Sequence, residues 1–496
     1  MYRAAAYVGK SSCLELIELN SFSCGIDAVT TDQVEEILAN HGKVHTLLKI
    51  DEISNLGSVK IRIRSLLAAL DYKKNALRSS IKKKIEYKRA QFTKKMKKEY
   101  TILAPQMAPM HFKLLKTAFK AEGYNLEVLE ETQEALDCGL QYVNNDACYP
   151  SILVIGELIA ALKSGKYDLD KTAVMISQTG GSCRATNYVG FLKKAIRDSG
   201  FEKIPILSLN ASGFEKQEGF SITLPFAHKC LIAVSYGDIL MKLLYHVRPY
   251  EKIKGSALEL YEKWNEKVKE NIANGKFSQF KSNINAIVED FSKIEVSDEK
   301  KIKVGIVGEI LVKFSPFANN NLADFIEAEG GEVYTSSLMS FVKYCIYSDI
   351  FITERFKGKI AAMKLKAALW VIDQYTKVLN NALQKNPRFG HEDSIQDLAK
   401  KTSQYISIGN QSGEGWFLMG EMIEFIEKDV PNIVCVQPFG CLPNHITGKG
   451  MIKKLRSEYS NVNIAPIDYD PAYSEVNQLN RIKLMLSVAR KNLKNS

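Results

Sequence analysis

Hydrophobic and polar positions along the chain follow two alternating patterns. Short runs rich in branched residues read as strands: LELIEL (14–19), VHTLLKI (44–50), YTILA (100–104), NLEVLE (125–130), AVMIS (173–177), IPILSL (204–209), KVGIVG (303–308), GEVYTSS (331–337), YISIGN (405–410), NIVCVQ (432–437) and VNIAPID (462–468). Between most of them lie about 10–20 residues with apolar positions at helical spacing. Strand alternating with helix means βαβ units, whose parallel sheets are covered on both faces. Residues 231–293 break the rhythm and read as consecutive helices, and the charged EVSDEKKIK that follows marks a boundary. The expected fold is α/β, with two Rossmann- or flavodoxin-like parallel-sheet domains (three if the N-terminal segment forms its own) and a helical connecting region. The pattern divides into an N-terminal α/β segment (1–72), a basic linker helix (73–99), an α/β domain with its helical region (100–296) and a second α/β domain (300–496).

Charge changes that picture in one place. The net charge is +11, and residues 73–98 hold twelve Lys/Arg against one Glu, so this stretch carries the whole excess. Leu77, Ile81, Ile85, Arg89 and Phe92 fall near helical spacing, which predicts a solvated linker helix with one buried stripe. A partner with an acidic docking surface, or an anionic ligand, would also fit Lys82, Lys83 and Lys84. With 46% hydrophobic and 25% charged residues the composition is that of a globular protein. No apolar run approaches the roughly 18 residues of a membrane helix, and no secretory signal opens the sequence. Neither a membrane nor nucleic acid is an expected partner, and nine irregularly spaced cysteines fit a reducing cytoplasm better than a disulfide framework.

Doubly wound sheets bind ligands beyond the carboxyl ends of their strands, so the loops there are where chemistry is sought. The cysteines sort accordingly. Cys13, Cys138, Cys230, Cys345 and Cys435 lie inside apolar patterns and read as core. Cys24, Cys148, Cys183 and Cys441 lie in turns at the start of helices. Gly25 follows Cys24, with Thr30 and Gln33 as a capping box; Pro150 follows Cys148; glycines precede Cys183 and Cys441. A helix N-terminus favours thiolate over thiol, and thiolate is the form that binds soft metals. No C-x₂-C pair of a structural zinc site and no ferredoxin-like run is present. Three readings stay open at this point. The dispersed thiols hold an iron–sulfur cluster, they are structural loop thiols, or Cys441 with His445 four residues on is a nucleophile and base for acyl transfer. Glu309 and His445, beyond strand ends, are the candidate acid/base residues.

Several of these segments are familiar together. KIDEISNLGSVKIRIRSLLAAL, YVNNDACYPSILVIGELIAALKSGKYD, SQTGGSCRATNY, VGIVGEILVKFSPFANNNL and VQPFGCLPNHITGKGMIKKL resemble the 2-hydroxyacyl-CoA dehydratase family, and within it the dehydratase-like C-terminal part of the long activase-related proteins. Relatives include double-cubane-cluster reductases. The resemblance implies a [4Fe–4S] cluster held by Cys148, Cys183 and Cys441, with Cys24 as fourth ligand. It also implies a partner activator ATPase of the sugar-kinase/actin type, which delivers a low-potential electron, and an acyl-CoA-like substrate. In the dehydratases that electron makes a ketyl radical from the thioester, which permits loss of the 2-hydroxyl. Asn187, Tyr188 and Asn444, close in sequence to these cysteines, are candidates to donate hydrogen bonds to cluster sulfurs, which tunes potential. Family subunits use three cysteines per cubane and leave one iron open. Four here would close the cluster, and a double cubane would require more cysteines, or a homo- or heterodimer that shares them. VGIVGEI lacks the G-x-G-x-x-G of a dinucleotide site and no activator-type phosphate loop is present, so ATP is expected on the partner alone. The expected function is thus the iron–sulfur component of a dehydratase-like lyase or ATP-dependent reductase. The alternatives are a non-catalytic electron-transfer or scaffold subunit, and a cluster-free interaction protein.

Overall fold

In a computed structural model the chain is described throughout except at residues 21–23, 25–26, 51–55, 76–89, 145–146, 180, 182, 210–216, 472–473 and 496. Its sheets are purely parallel. Ile17–Asn20 (β1) pairs with Thr46–Lys49 (β2) in a small sheet. A second sheet is built from Thr101–Ala104 (β3), Asn125–Val128 (β4), Thr172–Ser177 (β5) and Ile206–Leu209 (β6), in the order β4-β3-β5-β6. The third holds Ile302–Gly308 (β7), Gly331–Thr335 (β8), Asn432–Pro438 (β9) and Asn463–Tyr469 (β10), ordered β10-β9-β7-β8. Numbered within each sheet, both read 2-1-3-4, the doubly wound order whose direction reverses between its first and third strands. The reversal points are β3/β5 and β7/β9.

Both large sheets are buried on both faces, as parallel sheets must be. In β5, Val174 and Ile176 enter one apolar cluster while Ala173 and Met175 enter another on the opposite face. The first cluster also takes Val304, Ile306, Val434 and Val436, so the two large sheets share one continuous core. The second is a helical wall of Leu224–Val247, Ser256–Asn274, Phe277–Ser292 and Met363–Leu383. These include the consecutive helices expected from 231–293. Among the described residues one helical segment, Leu224–Tyr250, is long and apolar enough to cross a membrane, and its window is 78% buried inside the protein.

Three expectations are corrected. YISIGN (405–410) forms no strand: Ile406 packs into the core of the third sheet and Ile408 into a neighbouring helical cluster, so their alternation reflects two separate burials. The basic helix does not run through to residue 98. Its centre, with Lys82, Lys83, Lys84 and the stripe from Leu77 to Arg89, lies outside the described residues, and 90–95 are not helical. There the buried Phe92 receives Gln217 Oε1 on its N–H at 3.0 Å and Gly219 N–H on its carbonyl at 2.8 Å. Thr30 and Gln33 are no capping box, because the helix already starts at Asp27 and Thr30 Oγ1 finds no partner among the described residues.

Candidate functional site

Cys148 is held by the tightest helix pair in the molecule's first half. Helices Gln133–Tyr142 and Tyr149–Lys163 pack through Gly139 and Gly156, where a β-carbon on Gly156 would lie 2.0 Å from Ala135 O and 2.7 Å from Gly139 N. Only glycine permits that approach, and it fixes the connecting turn. Cys148 caps the second helix as expected, with Ser151 N–H on its carbonyl at 3.0 Å. Its thiol lies 3.6 Å from Ser151 Oγ and 4.0 Å from Tyr188 Oη.

Cys183 follows β5 but caps the single turn Arg184–Thr186, ahead of the helix Tyr188–Asp198. The helix Asp27–Asn40 docks on that turn through Asn187 Nδ2, which donates to Asp32 Oδ2 at 3.4 Å, and so brings half-buried Cys24 to the same place. Cys441 follows β9, its N–H bonded to Pro438 O at 3.1 Å; a π-helical turn, Asn444–Gly448, comes next. Asn444 Nδ2 donates to Cys441 Sγ at 3.1 Å. Gly413 lies between these loops, at φ +58°, where a β-carbon would sit 3.2 Å from Pro443 and 4.0 Å from Cys183 Sγ.

All four loop thiols therefore converge from segments far apart in the chain. Cys183 lies within electrostatic reach of Cys24, Cys148 and Cys441, and Cys441 within reach of Cys24. Burial pushes the Cys148 thiol up, and Cys183 and Cys441 well up; Glu414 and the neighbouring thiols add to the last two. For Cys148 desolvation is the largest cause, and the Arg184 guanidinium beside it offsets only part of the rise. Cys148, Cys183 and Cys441, desolvated side by side, would ionise together only beside a cationic centre, since buried charge must be paired or coordinate metal. Among the described residues no three His, Cys, Asp or Glu come close enough to hold one metal ion.

Two carboxyls, half-buried Glu309 and buried Glu414, complete the site. Glu309 caps Ile310–Phe314 by accepting Val312 N–H at 2.9 Å, and burial, with Glu414 next, pushes it up to about 8. Glu414 accepts Ile310 N–H at 3.1 Å and Asn444 Nδ2 at 3.2 Å, and burial raises it too. At the far end of the Ile310–Phe314 turn, Lys313 pairs with Glu421 at 2.7 Å, both fully buried. Lys313 and Phe314 open onto a cavity of about 160 Å³ between the third sheet and the helices Pro109–Ala121 and Leu224–Val247, also lined by Met110, His111, Met241 and Ile306. His111 Nε2 bonds Asp238 at 2.9 Å and its Nδ1 has no partner among the described residues. His445 joins the site through its backbone, N–H to Cys441 O at 2.9 Å.

The candidates Cys24, Cys148, Cys183, Cys441 and Glu309 are thus brought together, while Tyr188 reaches one thiol and Asn187 turns to Asp32. Gly180 and Ser182 of the TGGS turn lie outside the described residues. Of the five cysteines expected in the core, Cys435 is buried, whereas Cys13 and Cys345 are exposed. Glu414, Arg184 and Gly413 escaped the sequence reading. The glycine-dense GNQSGEG (409–415) was the available signal for Gly413 and Glu414, masked by the supposed strand beside it, and Arg184 directly follows Cys183. No protein-family model matches the chain, and no curated protein matches it.

Proposed function

We propose that the chain is the iron–sulfur component of a 2-hydroxyacyl-CoA dehydratase-like or ATP-dependent low-potential reductase system. It takes electrons from a partner activator ATPase and passes them to an acyl-CoA-like or other small substrate. The observation that carries this reading is the convergence of four loop thiols, Cys24, Cys148, Cys183 and Cys441, beside the carboxyls of Glu414 and Glu309. These cysteines would hold a [4Fe–4S] cluster, which when bound supplies one-electron transfer. What supports the donor set is that thiolates are the ligands such clusters take and that side-chain-free Gly413 leaves room beside Cys183.

The chain's own residues have defined tasks. Asn444 donates to Cys441 Sγ and so stabilises charge on that sulfur. Glu309, protonated near neutral pH, holds a proton at its carboxyl within reach of Cys148. The cavity at Lys313 and His111 would take the acyl end of a substrate; at about 160 Å³ it is too small for a nucleotide. All nine cysteines are free, which suits a reducing cytoplasm. Each four-stranded sheet with its helices would form one domain of the two.

A second reading, an electron-transfer subunit without its own substrate, is favoured by the number of thiols, since four protein ligands leave no iron open. Iron and acid-labile sulfide per chain after strictly anaerobic purification, with EPR on the reduced sample, test both. About four irons with matching sulfide and a reducible signal support a cubane. A chain still metal-free after anaerobic reconstitution retires both readings and leaves an interaction protein with packed thiols.

A further inference from the structure

The helices Leu338–Lys357 and Met363–Leu383 form a hairpin whose base and tip have opposite characters. At the base, Tyr344 donates to Gly413 O at 2.9 Å and packs on Trp416 and Phe417. Between the buried anchors Ile350 and Ala362, residues 355–361 are exposed without a break. This tip carries Phe356 (78% exposed) and Ile360 (85%), Met363 (63%) follows at the start of the second helix, and Trp370 (62%) is exposed about two turns further along it. Folding alone does not require such residues to be left in water along one end of a hairpin.

Cations are interleaved with them. Residues 354–366 hold five, Arg355, Lys357, Lys359, Lys364 and Lys366, against the single carboxylate Glu354, a net +4. Glu354 is taken up by Lys366 at 2.5 Å. We propose that this tip is a docking device for an anionic lipid surface. Phe356, Ile360 and Met363 would enter the acyl boundary, and the lysines would snorkel to the headgroups.

Two alternatives fit the composition less well. Protein interfaces are depleted of lysine at their core, whereas here lysine alternates with the apolar residues almost one for one. A second copy, tip against tip, would set +4 against +4. The one segment among the described residues that is long and apolar enough to span a bilayer, Leu224–Tyr250, is mostly buried in the protein and lies apart from this tip in sequence. The inference is independent of the iron–sulfur reading, because the tip residues touch no thiol.

The test uses the full chain as purified, with vesicles of phosphatidylcholine alone and with phosphatidylglycerol added. Flotation with the anionic vesicles only, weakening as salt rises, is expected. Of three tryptophans, Trp264 and Trp416 are buried, so a blue shift on vesicle addition reports Trp370. Removing three charges (Lys357→Ala, Lys359→Ala, Lys364→Ala) should weaken partitioning on the order of a hundredfold, about fivefold for each. The pair Phe356→Ser and Ile360→Ser should abolish the blue shift while leaving the thermal midpoint unchanged, since both side chains are already in water. Three results would overturn the proposal. One is no partitioning to anionic vesicles at low salt. Another is partitioning that the tip variants leave intact. The third is a dimer in light scattering that Phe356→Ser dissolves without any response to vesicles, which would make the tip a contact between copies.

Discussion

Glu309 and Cys441 show how one buried space acts on single groups. Glu309 is pushed from about 4.5 up to about 8 by burial, with Glu414 next in effect. Below about 4.5 folded and unfolded chains both carry the proton. Between there and about 8 the folded chain holds a proton that the unfolded chain has lost, so stability falls as pH rises through this window. In the metal-free chain, Glu309→Gln should flatten that slope in urea titrations across the window, and an unaltered slope would assign it to other groups. Cys441→Ser should remove most of the iron from anaerobically prepared protein. Cys230→Ser, in the helical wall away from the site, should leave iron content unchanged, and equal iron in the two variants would sink the ligand assignment.

At the scale of elements, position comes from packing between helices and strands. The Gly139–Gly156 approach sets where Cys148 stands. Gly156→Ala would force a methyl to within about 2.0 Å of Ala135 O, and overpacking of this kind costs about 1–3 kcal/mol. Chemical denaturation should show that loss. Iron content should fall further than in a variant of matched stability, such as a truncation at Val288 in the helical wall; an equal fall would mean the helix pair does not position the thiol. Elements are also where the sequence was most legible. The strands β3 to β10 announced themselves because a parallel strand buried on both faces must be apolar nearly throughout. Residues 405–410 misled because isoleucines two apart in an irregular segment look the same as isoleucines on one strand face. Pro150 at the first turn of its helix was readable from local chemistry alone.

Across the whole molecule, one core joins the two large sheets, and Lys313 with Glu421 ties the turn after β7 to the helix Gly415–Glu427. The two sheets should therefore unfold together, and calorimetry should show a single main transition for them; two well-separated transitions would show that the shared core does not couple them. Glu421→Gln leaves Lys313 buried without its partner and should cost about 3–5 kcal/mol. The double variant Lys313→Met, Glu421→Leu should recover much of it, and a further loss in the double variant would point to packing damage instead.

Local pattern determined the α/β class, most strand positions, the consecutive helices and the loops that carry Cys24, Cys148, Cys183 and Cys441, because burial on a repeating backbone leaves periodic traces in sequence. It also placed Glu309 beyond a strand end. Only the tertiary structure decided that these four thiols share one space, that Glu414 and Gly413 stand among them, and that burial raises the thiols of Cys148, Cys183 and Cys441. Convergence of segments hundreds of residues apart depends on how whole sheets and helices pack, and desolvation depends on everything that surrounds a group. Neither is written in the spacing of neighbouring residues.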